Sequence, residues 1–128
     1  MRLKSAMIYV RDLPRMRAFY GQMLGAAPVN TEWTDRYALF EAGGADFALH
    51  AIPGESADRA ETASPPRPRE TSPVKLTFAV DDARVERARL EAMGVTIIQR
   101  PWQKPDEACD GVDPEGNIFQ IIAARSPR

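Results

Sequence analysis

The chain holds one histidine, His50, and one cysteine, Cys109. A lone imidazole can hydrogen-bond a ligand or shuttle a proton near neutral pH. It does not build a metal centre, and no His/Cys cluster with zinc spacing exists. Its plain alternative is a satisfied histidine near a strand end. Lys75 offers two chemistries, pairing with an anionic ligand or acting as a base once its pKa is lowered. It can equally be a salt-bridged surface residue. Cys109 precedes Asp110, and no histidine is identifiable as its base, so nucleophilic chemistry is not expected there. With one cysteine no internal disulfide can form, which suits a reducing cytoplasm.

Hydroxyls and amides complete the inventory. Ser5, Tyr9 and Thr77 can donate and accept hydrogen bonds, and Gln120 carries an amide in the otherwise apolar run "IFQII". Trp33 and Trp102 can stack against a flat ligand or simply pack the sheets. For any of these to act together, the fold must bring them to one surface.

Two stretches share a grammar that would do so. "VRDLPRMRAFYGQMLGA" (10–26) reads as strand end, helix and stop: Asp12 caps, Pro14 sits in the first turn, and Gly25 ends the helix. Leu13, Met16, Phe19, Tyr20, Met23 and Leu24 recur at helical spacing. "VDDARVERARLEAMGV" (80–95) repeats the pattern with Asp82 and Gly94, and its predicted apolar face is Val85, Ala88, Leu90, Ala92 and Met93. Val10 matches Val80, Asp12 matches Asp82, Trp33 matches Trp102, and "GADFALHA" matches "GNIFQIIA", all about 70 positions apart. This order and offset indicate an internal duplication.

Each half therefore reads as strand, helix, three strands. The predicted strands are 3–10, 27–33, 37–42 and 46–52, then 74–80, 95–101, 107–112 and 117–123. "AGGAD" and "DPEGN" supply the last hairpin turns. The modules cover about 1–52 and 74–125, and the proline-rich stretch 53–73, including "PPRPR", reads as a connector or loop. The expected architecture is α+β: two βαβββ modules in one 128-residue domain, forming a curved mixed-sheet cup with helices on the outer face.

Strand alternation sorts the chemistry. Ala6, Ile8, Val10, Phe47, Leu49, Leu76, Phe78, Val80, Phe119 and Ile121 take the face under the helices. Ser5, Met7, Tyr9, His50, Lys75, Thr77 and Gln120 take the other. A mixed face with apolar walls and a few polar groups describes a small-molecule site; a solvent-exposed sheet face would alternate in the same way.

These stretches, with the distant "DPEGN", resemble the vicinal oxygen chelate superfamily, which contains glyoxalase I, extradiol dioxygenases, fosfomycin-resistance enzymes and bleomycin-resistance proteins. The resemblance covers nearly the whole chain and implies a divalent metal held by His and Glu on the first and last strands of the modules. By motif those positions are Ser5, Ala48, Lys75 and Gln120. None matches the metal-binding pattern. A lysine ammonium near ~4 Å would oppose a divalent ion by roughly 8 kcal/mol at an effective dielectric of about 20. The resemblance thus implies a metal-independent binding protein without cofactor. The alternatives are a metal-dependent or metal-free lyase, isomerase or dioxygenase, or a non-catalytic interaction module. The resemblance also implies a homodimer.

Composition narrows the partners. Seventeen basic and 18 acidic residues are well mixed, for a net charge of −1, so neither nucleic acid nor an anionic membrane is an expected partner. No run approaches the ~20 apolar residues of a membrane span, and "MRLKSAMIYVRDL" does not read as a signal peptide. The expected ligand surface is Ser5, Met7, Tyr9, Trp33, His50, Lys75, Thr77, Trp102 and Gln120, serving a small organic molecule in the cytoplasm.

Overall fold

Alternating apolar residues followed by a capped helix appear twice, and each copy folds into its own compact unit, Met1–Thr62 and Ala63–Arg128. The computed structural model describes residues 1–52 and 65–124.

In the first unit, β1 (Ser5–Val10) leads into α1 (Leu13–Leu24), then β2 (Tyr37–Glu41) and β3 (Asp46–Ala51). The strand order is β1-β3-β2, with β1 parallel and β2 antiparallel to β3. Asp12 caps α1 by accepting from the Arg15 N–H at 3.1 Å, and Gly25 closes it in a left-handed conformation. Leu13, Met16, Tyr20 and Met23 of α1 are buried, as are Val10, Phe40, Phe47 and Leu49 of the strands. Tyr20 meets Phe47 edge-on at 4.8 Å. Gly43 and Gly44 both take positive φ in the β2–β3 turn. A two-residue hairpin turn that follows the strand twist requires this, and side chains resist it.

The predicted strand over 27–33 does not form. Val29 makes one ladder bond, its N–H to the Leu39 carbonyl at 2.7 Å. Beyond it the Asn30 side chain replaces the backbone. Its Oδ1 accepts from the Leu39 N–H at 3.0 Å, and its Nδ2 donates to the carbonyls of Tyr37 and Glu32, both at 2.9 Å. The amide satisfies the edge of β2 while the chain turns away through Trp33, whose φ is 55°. Polar groups at the strand edge are thereby paired without a fourth strand.

The second unit runs β4 (Leu76–Val80), α2 (Ala83–Ala92), β5 (Thr96–Ile98), β6 (Ala108–Val112) and β7 (Ile118–Ala123). The order is β4-β7-β6-β5; β4 is parallel to β7 and the other pairs are antiparallel. β5 is shorter than the predicted 95–101 for the reason seen at Asn30. Gln99 ends it, and the Gln99 Nε2 donates to the carbonyls of Ala108 and Gln103 at 3.0 and 3.3 Å.

The face of α2 also differs from expectation. Val85, Ala88 and Ala92 are exposed, whereas Ala83 and Leu90 are buried and Met93 is half-buried. Arg87 lies between Ala83 and Leu90 at helical spacing, so its stem follows the sheet-facing stripe and its guanidinium reaches Gln99 Oε1 at 2.8 Å.

Residues 65–73, in the latter part of the expected connector, dock onto their own unit. The Arg69 N–H donates to the Gly116 carbonyl at 2.8 Å, and Arg69 Nε donates to the Glu115 carbonyl at 3.0 Å. Gly116 has φ 88°, and a Cβ built there would lie 2.1 Å from the Arg67 carbonyl oxygen. Only a glycine lets this segment approach so closely. The rest of the connector, 53–64, lies outside the described residues.

Candidate functional site

In the first unit, register places three rows of side chains on the sheet face away from α1. Ser5, Asp46 and Glu41 form a polar row; Met7, Ala48 and Leu39 an apolar one; Tyr9, His50 and Tyr37 an aromatic one. His50 is flanked edge-on by both tyrosines, at 5.5 Å from Tyr9 and 6.1 Å from Tyr37. Its Nδ1 is 2.8 Å from the Ala51 carbonyl. A carbonyl only accepts, so Nδ1 carries the proton, and in the neutral ring Nε2 is the acceptor. Met7, Tyr9 and Trp33 are exposed, while Ala48 is buried and brings no polar atom.

In the second unit, the corresponding row is Thr77, Gln120, Asp110 and Ile98. Lys75 lies one strand repeat before Thr77 and reaches the middle of the row, with its Nζ 2.7 Å from Asp110 Oδ2. Asp110 is fully buried. It also accepts from Arg100 Nε at 2.9 Å and Gln103 Nε2 at 2.8 Å, and Arg100 continues to Glu70 at 3.0 Å. Burial pushes the Asp110 carboxyl up, but the bonds from Lys75, Arg100 and Gln103 outweigh it and hold the group below its ordinary value. Asp110 is therefore an anion at neutral pH, held by three donors.

Asp110, Arg100, Gln103 and Glu70 were not among the residues expected at the site. Alternation along "ACDGV" puts Asp110 on the same face as Gln120, so a carboxylate opposite a predicted inward lysine was the available signal. Gln103 and Glu70 lie in irregular segments, where periodicity carries no information. Thr77 and Gln120 make no side-chain hydrogen bond among the described residues. Trp102, like Trp33, is exposed. Cys109 points to the opposite side of β6 from Asp110, beside Ile121, and burial pushes its thiol pKa up. It is the unreactive form of a cysteine.

Paired units of strand, helix and antiparallel strands, each with an opposed helix-covered and mixed face, define an α+β protein of duplicated modules. The chain belongs to the Glyoxalase/Bleomycin resistance protein/Dioxygenase superfamily, whose family model matches residues 2–121. No curated protein matches the sequence. Solved structures that share the fold include three from different organisms. The genomically encoded fosfomycin resistance protein of Listeria monocytogenes has 16% identity and a TM-score of 0.71, over 97% of this chain and 91% of that one. The lactoylglutathione lyase of Agrobacterium tumefaciens has 23% identity and a TM-score of 0.68, over 96% and 93%. The trypanothione-dependent glyoxalase I of Leishmania major has 20% identity and a TM-score of 0.69, over 96% and 86%.

The divalent metal implied by the resemblance does not fit these residues. Ala48 has no donor atom, and at the Lys75 position an ammonium bonded to Asp110 stands where a ligand would be needed and would repel a divalent ion. Among the described residues, no three His, Cys, Asp or Glu side chains converge closely enough to hold an ion. No helix among them is long and apolar enough to cross a membrane.

Proposed function

We propose that the protein binds a small organic molecule without a metal, through the mixed faces of its sheets. Ser5, Met7, Tyr9, Trp33 and His50 would contribute on the first unit, and Lys75, Thr77, Trp102 and Gln120 on the second. The Lys75–Asp110 bond carries this reading. A fixed internal cation stands at a position where metal-using relatives place a ligand, beside an uncommitted hydroxyl and amide. The face offers polar anchors among apolar side chains, which is the composition of a ligand surface. A thermal-shift screen of aromatic, cationic and antibiotic compounds tests it. Stabilisation by one chemical class is expected, and no response to any class would count against binding.

A second reading is a metal-free lyase or isomerase that uses His50 as base. The observation in its favour is the Nδ1–H bond to Ala51, which leaves Nε2 as the acceptor. Turnover of a substrate that disappears in His50→Ala while binding persists would select this reading. The protein is further proposed to work as a homodimer in a reducing cytoplasm. Light scattering at micromolar concentration, returning the dimer mass, checks the assembly.

A further inference from the structure

We infer that the Lys75 ammonium, with the Thr77 hydroxyl and the Gln120 amide, forms a docking point for the carboxylate of a small organic acid. This rests on the proposed ligand face of the second unit and specifies the charge of what binds there.

The charges are layered. Asp110 is fully buried, whereas the Lys75 side chain keeps 36% of its surface exposed. A ligand approaching this face meets the ammonium, with the carboxylate behind it. An ammonium has three N–H donors. Asp110 takes one, leaving two, and the same bond fixes where they sit. A long flexible side chain held in advance loses less freedom on binding.

The neighbouring groups extend the anchor. Gln120 is the cross-strand partner of Thr77 on one side and of Asp110 on the other. Neither Thr77 nor Gln120 spends its side chain on another described residue. Two ammonium N–H groups, one hydroxyl and one amide NH2 thus lie in adjacent rows of one face. A carboxylate has two oxygens and about four lone-pair sites to receive them. Arg100 is turned to Asp110 and Glu70 and its side chain is half as exposed as that of Lys75, so Lys75 is the more accessible cation here. By strand alternation the half-buried Ile122 shares the Gln120 face and gives apolar surface for the body of the acid. A cationic ligand would meet the ammonium, and a neutral one would accept from its remaining N–H groups without the strength of a bond between charged partners. Because Lys75 and Asp110 together are neutral, the attraction is short-ranged and depends on contact.

The test is an amide-resolved NMR titration of the full chain with benzoate, benzamide and benzylammonium, which share a ring and differ in charge. Benzoate is expected to shift residues 75–77 and 120 and to bind at least tenfold more tightly than benzamide, with benzylammonium weaker still. Lys75→Met should abolish the preference for benzoate. If its spectrum shows that the unit has unfolded, Thr77→Val with Gln120→Leu leaves the ion pair in place and should reduce the preference severalfold. Equal binding of benzoate and benzamide, or a benzoate preference that survives these changes, overturns the inference. If benzamide or benzylammonium shifts this face and benzoate does not, the carboxylate inference fails while the ligand-face reading stands. If no probe of any charge shifts it, both fail.

Discussion

Asp110 and Lys75 set the chemistry of the second unit. A buried carboxylate is tolerable only when its lone pairs are filled, and here an ammonium, a guanidinium and an amide fill them. Lys75→Met removes one charge-assisted bond but leaves Arg100 and Gln103. Because Lys75 is partly solvated, the expected loss is about 1–2 kcal/mol of stability in denaturant unfolding. The pH dependence follows from the lowered Asp110 pKa. A carboxylate whose folded pKa lies below its unfolded value of about 3.9 stabilises the fold above that pH. That contribution disappears as the pH falls through the folded value. Melting curves below about pH 4 should therefore drop more steeply for the native chain than for Asp110→Asn. Parallel curves would mean that the carboxylate is not held as described.

At the scale of elements, side-chain amides do work that the alternation pattern assigned to backbone. Asn30 and Gln99 stand at equivalent places in the two units, and each bonds the edge of the neighbouring strand where a ladder was expected. Asn30→Ala leaves the Leu39 N–H and Tyr37 carbonyl without these partners, and a loss of about 1–2 kcal/mol in chemical denaturation is expected. The helices, their capping aspartates and the Gly-Gly turn were legible because local chemistry determines them. The strand over 27–33 was not, since "PVNTEW" has strand composition and nothing local reveals that Asn30 will bond sideways. The face of α2 departs from its apolar spacing because the stem of Arg87 takes a place on the sheet-facing stripe. Gly116 reports on the docked segment 65–73. Gly116→Ala would put a Cβ against the Arg67 carbonyl. A loss of about 1–3 kcal/mol and faster tryptic cleavage at Arg67 and Arg69 are expected.

At the scale of the whole molecule, the duplication visible in the sequence reappears as two units whose three corresponding strands share one order, β5 having no counterpart, and family membership spans both. What the duplication did not preserve is symmetry of chemistry. One face carries an aromatic row around His50, and the other an ion pair around Asp110. Matching strands revealed which positions correspond, but Arg100 and Gln103, which also hold Asp110, come from irregular segments that no repeat could forecast. The central claim is that ligand binding here needs no metal. The most direct measurement is the thermal shift produced by the best ligand of the screen, taken before and after exhaustive chelation. The same shift is expected in both samples, with no gain on adding nickel, zinc, iron or manganese. A shift that is lost on chelation and restored by one of those ions would contradict it.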